Sequence, residues 1–243
     1  MTASSNNVLP LFLDAAALTA NPQKSTYFTW NYARSPHLLV VGATGSGKTY
    51  AVKLLLGRIA THMPDAEVTL CDFKHDDFRF LDGTTRYYAF DDCTEGLNAF
   101  YEAFQARQQG SDDSRTFRML VFDEWASFLS MLDKKEAEDV KRKLATLLML
   151  GRSFNVHICV SQQRADAAFF STARDNFNVV IALGNLSKES RDMFFSEFKN
   201  EIEPVRNLGE GFSLTNGAIL HHIQVPVISN PRKLDESILR LVT

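Results

Sequence analysis

The stretch Gly42-Ala43-Thr44-Gly45-Ser46-Gly47-Lys48-Thr49 meets every fixed position of the pattern G-x-x-x-x-G-K-[ST], and it restricts the fold more than any other feature of the chain. An apolar run, Leu38 to Val41, precedes it, and a helical pattern from Thr49 to His62 follows. Such a loop works between a buried strand and a helix N-terminus. Its glycines let successive backbone N–H groups turn inward around an anion, and the helix end adds a favourable field. Lys48 is then placed to meet β- and γ-phosphates, and the Thr49 hydroxyl to hold Mg²⁺. The stretch predicts a site for ATP with Mg²⁺ formed by Gly42 to Thr49, with Tyr50 beside it on the first helical turn.

The rest of the chain supplies the strands and helices that such a loop requires. Val68–Cys71, Met119–Phe122, Val156–Val160 and Val179–Leu183 are apolar throughout, and helical patterns lie between them. Thr94–Gln109 carries Leu97, Phe100, Tyr101 and Phe104 at three- and four-residue steps. Lys134–Leu150 carries Ala137, Val140, Leu144, Leu147 and Leu148, with Glu138 and Arg142 spaced to pair on its solvent side. Ser187–Lys199 reads as another helix, and Gly211–Val227 as late strands turning at Asn216-Gly217. Met1–Asn7 is polar and expected to be loose. Strands that are apolar on both faces, alternating with helices, predict an α/β fold. Its central sheet is mostly parallel, with helices on both faces, as in the RecA-like P-loop NTPases. Residues 1–34 read as a lead-in packing on this core, and 35–243 as the ATPase domain itself.

Three strand ends add chemistry to the loop. Met119–Phe122 runs into Asp123-Glu124. An Asp here holds Mg²⁺ through water, and the carboxylate after it can orient and deprotonate an attacking water, which favours ATP hydrolysis over kinase or GTPase chemistry. Val156–Val160 runs into Ser161-Gln162-Gln163-Arg164, where a polar amide can sense a γ-phosphate. Asp72-Phe73-Lys74 ends another strand on the same side, and ligands gather at the carboxyl ends of parallel strands. His37, His75, His157, His221 and His222 have no metal-site spacing. Cys71, Cys93 and Cys159 have none either, and free thiols in apolar runs fit a reducing cytoplasm. No apolar run approaches the ~20 residues needed to cross a bilayer, so direct membrane insertion is not expected. The net charge is -3, so any DNA contact must be local, on a loop or inside a ring.

Taken together, these segments resemble the FtsK/SpoIIIE motors of the FtsK–HerA group. Ser35-Pro-His-Leu-Leu-Val-Val-Gly-Ala-Thr-Gly-Ser-Gly-Lys-Thr49 is similar to the family's phosphate loop, and Leu70-Cys-Asp-Phe-Lys74 to its second strand. Val121-Phe-Asp-Glu-Trp125 resembles its acidic strand. Leu150-Gly-Arg-Ser-Phe-Asn-Val-His157 and Val160-Ser-Gln-Gln-Arg164 resemble its GRAxGIH and ATQR block, and Ala173-Arg-Asp-Asn176 through Ser190-Arg191 the segment after it. The resemblance implies a hexameric ring that moves along double-stranded DNA using ATP. It implies that Arg152 reaches a neighbour's ATP in trans, that Gln162 senses the γ-phosphate, and that Arg164 and Arg191 line a pore and touch DNA. A surface salt bridge is the plain alternative for each arginine. Gln163 and Ala165 depart from the family pattern, and neither a membrane-spanning N-terminus nor a basic C-terminal winged helix is seen. That combination points to a stripped motor of a plasmid, integrative element or phage. A conjugation coupling protein that recruits a relaxase–DNA complex, and a DNA packaging ATPase, stay open as alternatives.

Overall fold

The apolar runs lie side by side in one ten-stranded sheet. The structure, a computed structural model, describes residues 7–164 and 166–243. Of the stretch Met1–Asn7, expected to be loose, residues 1–6 lie outside the described residues, as does Ala165. The chain opens with β1 (Val8–Asp14), α1 (Ala15–Ala20), β2 (Tyr27–Asn31), β3 (His37–Val41) and α2 (Lys48–His62). It continues through β4 (Glu67–Asp72), β5 (Tyr87–Ala89), α3 (Cys93–Gln108), β6 (Arg118–Asp123), α4 (Trp125–Met131) and α5 (Lys134–Leu150). β7 (Val156–Gln162), β8 (Val179–Leu183), α6 (Lys188–Phe194), β9 (Glu210–Thr215), β10 (Ile219–Gln224) and α7 (Pro231–Val242) complete it.

The strands β8-β3-β7-β6-β4-β5 are parallel to one another. Beyond β8 the sheet continues antiparallel through β9, β10, β1 and β2. The parallel strands are apolar throughout because both of their faces are covered. Leu38 and Val40 of β3 join one apolar layer, Leu39 and Val41 the other. β6 divides likewise, Met119 and Val121 to one side and Leu120 and Phe122 to the other. This is the period of two that a pleated strand imposes. Helices α2 and α7 cover the first layer, while α3, α4 and α5 cover the second.

Some local details differ from the sequence reading. The lead-in adds two strands, β1 and β2, with the short α1 between them, and Leu9, Leu11, Phe12, Phe28 and Trp30 of the strands are buried in the first layer. On α5, Arg142 pairs with Asp139 and Lys141 with Glu138, so the expected Glu138–Arg142 pair is replaced by two i,i+3 pairs. The helix expected over Ser187–Lys199 stops at Phe194. Phe195 is fully buried, and the chain turns to seat it before a short 3-10 turn over Ser196–Phe198. Asn216 and Gly217, at φ 49° and 66°, form the anticipated turn between β9 and β10. The three cysteines are free and buried. Among the described residues no helix is long and apolar enough to cross a membrane, and no cluster of three His, Cys, Asp or Glu could hold a metal.

Candidate active site

The strand order places β7 between β3 and β6, so the groups at the carboxyl ends of these strands meet in one crevice. Val41, the last residue before the phosphate loop, pairs in register with Gln162. Asp123 pairs with Ser161 on one side and with Asp72 of β4 on the other. The loop Gly42–Gly47 then turns over the N-terminus of α2. Gly47 adopts φ 97°, a left-handed conformation costly to any residue with a Cβ. A Cβ at Gly42 would meet the Leu183 carbonyl oxygen and Ser46 Oγ at 2.5 Å each, so the cradle is built around a bare backbone. Lys48 is buried and its Nζ donates to the Ala43 carbonyl at 3.2 Å, folding the ammonium over the loop. Burial lowers its pKa, and Glu124 and Asp123 pull it back up. Thr49 is half-buried on the first turn of α2. Tyr50 is turned away from the loop, its hydroxyl accepting from the Ile228 backbone N–H.

Three carboxylates stand at the ends of β4 and β6. Burial pushes Asp123 up to about 7; the Ser161 hydroxyl opposes this, while Glu124 and Asp72 push the same way. A carboxyl held that high by burial and by its neighbours' charges would be stabilised as its anion by a divalent cation beside it. Asp72 is fixed by the His75 N–H at 3.0 Å and the Tyr87 hydroxyl at 3.2 Å. Glu124 is buried with φ 60° and ψ 44°, a strained backbone for a side chain that must point into the crevice. Strain of this kind costs on the order of 1–2 kcal/mol and is often found at functional positions. Its backbone is pinned, with its N–H donating to the Ser161 carbonyl at 2.8 Å and its own carbonyl accepting from the Phe128 N–H at 3.0 Å.

Gln162 is fully buried. Its Nε2 donates to the Arg164 carbonyl at 2.7 Å, and its Oε1 is buried with no partner among the described residues. An unpaired buried amide oxygen is costly unless something in the crevice meets it. The cradle at Gly42, the raised carboxyl of Asp123 and the unpaired acceptor of Gln162, which a water or a cation can meet but a phosphate oxygen cannot, together fit a nucleoside triphosphate with its cation and a water.

The remaining predicted residues divide by place. Arg164 lines a cavity of about 590 Å³ with Glu124, Ser127 and Gln163. It also lines a second, of about 530 Å³, with Gly42, Ala43 and Thr44. Arg191 is half-buried on α6, beyond the carboxyl end of β8. Arg152 is elsewhere: it is exposed in a 3-10 turn over Gly151–Phe154, before β7 begins, and its Nε donates to the Ala33 carbonyl at 3.1 Å. The length of β7 separates it from Gln162, roughly 20 Å at about 3.3 Å per residue. The turn is held by the buried Arg107, whose Nη1 donates to the Phe154 carbonyl at 2.9 Å.

Sequence reasoning missed two contacts that support the site. It placed Lys74 at the crevice but gave it no partner; Lys74 pairs directly with Glu124, Nζ to Oε1 at 2.5 Å. The loop Asn207–Glu210 packs on the phosphate loop, the Gly209 N–H donating to the Ser46 carbonyl at 3.3 Å. Glu210 shapes that loop by accepting from the backbone N–H groups of Arg206 and Asn207, and no short motif announces it.

The FtsK/SpoIIIE family model matches residues 16–201, more than three-quarters of the chain. The chain belongs to the FtsK/SpoIIIE family. As a member of that family it is a P-loop ATPase domain of the RecA-like kind. Among curated proteins it is 23% identical over 212 residues to the FtsK domain-containing protein YdcQ of Bacillus subtilis (strain 168), covering 80% of this chain and 44% of the relative. It therefore spans less than half the length of that relative. Among solved structures it is similar to the pCW3 conjugation coupling protein TcpA with ATPγS, at TM-score 0.76 and 18% identity, covering 98% of this chain and 71% of that one. It is also similar to the cytoplasmic domain of the Thermomonospora curvata type VII secretion ATPase EccC, at TM-score 0.71 and 20% identity. That match covers all of this chain and 32% of the other. At these identities the structural likeness speaks for the FtsK-type fold alone.

Proposed function

We propose that this FtsK/SpoIIIE-type ATPase domain hydrolyses ATP to move double-stranded DNA through a hexameric ring of identical chains, in the service of a plasmid, integrative element or phage. The observation that carries the hydrolytic part is the convergence of the phosphate loop, Asp123-Glu124 and the unpaired Gln162 Oε1 at three neighbouring strand ends. In this reading Thr49 and Asp123 would hold Mg²⁺, which would supply positive charge against the phosphates when bound. Lys48 meets the β- and γ-phosphate oxygens. Glu124 takes a proton from the water whose oxygen attacks the γ-phosphorus, and the bond from that phosphorus to the β-phosphate oxygen breaks, leaving ADP and phosphate. Gln162 Oε1 supplies an acceptor beside the attacking water, and the Arg164 carbonyl links that amide to the loop beyond.

The ring is supported by the position of Arg152. It lies too far from its own phosphate loop to serve it, and it is exposed where a neighbouring chain can bring a nucleotide. DNA contact rests on Arg164 and Arg191 at the carboxyl edge of the sheet, and on the net charge of -3, which leaves duplex binding to a few concentrated arginines. Such contacts to phosphates are blind to sequence.

A second reading is a conjugation coupling ATPase that recruits a relaxase–DNA complex and is stimulated by single strands; the similar fold of a conjugation coupling protein, covering 98% of this chain, is what favours it. Steady-state ATPase measured at low salt with no DNA, with duplex and with single strands separates the two. The translocase reading expects stimulation by duplexes of any sequence, falling steeply with salt, and expects Arg164→Ala with Arg191→Ala to remove most of it. Stimulation by single strands alone would favour the coupling reading, and indifference to both would count against DNA as the substrate.

A further inference from the structure

Glu124 is the group from which the reading above needs a free acceptor oxygen, yet three side chains hold its carboxylate. Lys74 Nζ donates to Oε1 at 2.5 Å, Gln163 Nε2 approaches the same oxygen at 3.5 Å, and Ser127 Oγ donates to Oε2 at 3.3 Å. The two ends of the ion pair differ in freedom. The Glu124 side chain is 4% exposed on a backbone pinned at both its N–H and its carbonyl. The Lys74 side chain is 45% exposed and begins a loop whose root, Asp72, is fixed by His75 and Tyr87. The lysine is therefore the partner that can move.

The surroundings say where it can move to. Asp72 and Asp123 are register partners, so Lys74 and Glu124 leave adjacent strand ends beside the phosphate loop. Lys74 is close enough to Lys48 for the two ammonium charges to repel, which contributes to the lowered pKa of Lys48. A polyanionic triphosphate lying against Lys48 thus lies within the electrostatic reach of Lys74 as well. An ion pair with one half-exposed partner is weakly held, and a stronger anion nearby displaces it.

We propose that Lys74 is a positioning residue that restrains the base: its ion pair occupies the Glu124 oxygen that must accept the water proton, and transfer of Lys74 to the γ-phosphate frees that oxygen. Hydrolysis is then coupled to correct seating of the nucleotide, and a partner that shifts the Phe73–His75 loop changes the rate through the same contact. This inference rests on the reading of Glu124 as the base.

The test is basal ATPase activity of the full chain without DNA, compared among wild type, Lys74→Met, Lys74→Arg and the Lys74→Met, Glu124→Gln double variant. A freed general base is worth about 10²-fold or more, and partial release in the wild type leaves an expected rise of about tenfold in kcat for Lys74→Met. The factor by which any activator stimulates the enzyme should shrink correspondingly. Lys74→Arg, which keeps a cation on the carboxylate, should bring the basal rate back toward the wild-type value. The double variant should lose the gain. A Lys74→Met rate at or below wild type overturns the proposal alone. A raised rate that survives Glu124→Gln overturns the base assignment and the proposal with it.

Discussion

Glu124→Gln should lower the ATP turnover number by about 10²- to 10⁴-fold while leaving ATP bound. The substitution is nearly isosteric, so the pinned backbone at φ 60° and the contact with Ser127 survive, but an amide cannot take the proton of the attacking water. Lys48→Ala should be equally inactive for another reason. It removes the buried ammonium that neutralises the β- and γ-phosphates, so affinity for ATP falls together with turnover. The two variants are separated by equilibrium binding of a fluorescent ATP analogue beside steady-state phosphate release. Wild-type turnover in Glu124→Gln would remove it from the role of base. Undiminished nucleotide affinity in Lys48→Ala would mean that the loop holds its anion through the backbone alone.

The second large effect concerns assembly. Arg152→Ala should cost about 10³-fold in turnover if the guanidinium completes a neighbour's site, the scale on which arginine fingers act. Its distance from the chain's own phosphate loop makes complementation the informative form of the experiment. Arg152→Ala and Lys48→Ala are each expected to be inactive, yet a mixture should regain activity. At one kind of interface the intact loop of an Arg152→Ala chain meets the intact arginine of a Lys48→Ala chain. Mixed assemblies are verified by co-purification of two tags. Dead mixtures in which mixed rings demonstrably form would assign Arg152 to the Ala33 carbonyl contact and nothing more. The same substitution also loosens the Gly151–Phe154 turn, so its melting temperature is measured alongside. A buried anchor, Arg107, remains to hold that turn.

Much of this site was legible because phosphate chemistry dictates residue types at fixed spacing. Gly42 to Thr49, Asp123 and Gln162 each follow an apolar run, and parallel strands bring their carboxyl ends together whatever lies between. Three strands, β1 and β2 of the antiparallel half and β5 at the far parallel edge, were harder to read. The apolar run of β1 holds Pro10, which argues against a strand interior, and its register shifts between Pro10 and Phe12, while β2 is only five residues with Thr29 between Phe28 and Trp30. β5 has three residues, too few for any period to show. Helix α7 did carry signals, with Asn230 capping, Pro231 at its first turn, and Leu234, Ile238, Leu241 and Val242 on one side. They lie past the last motif, and reading by motif passes over them. The pairing of Lys74 with Glu124, two residues the sequence put at one crevice, and the Asn207–Glu210 loop stayed hidden for a different cause. They are contacts between segments distant in sequence, fixed by strand order and not by local pattern.

The proposal that the chain moves along duplex DNA is tested most directly by displacement of a third strand from a triplex placed at the end of a linear duplex. The wild-type chain with Mg²⁺ and ATP should displace the strand. It should do so more slowly as the duplex lead-in is lengthened, and not at all with ATPγS or with Glu124→Gln. Duplex-stimulated ATP hydrolysis without displacement at any lead-in length would contradict translocation and leave an ATPase that DNA merely switches on.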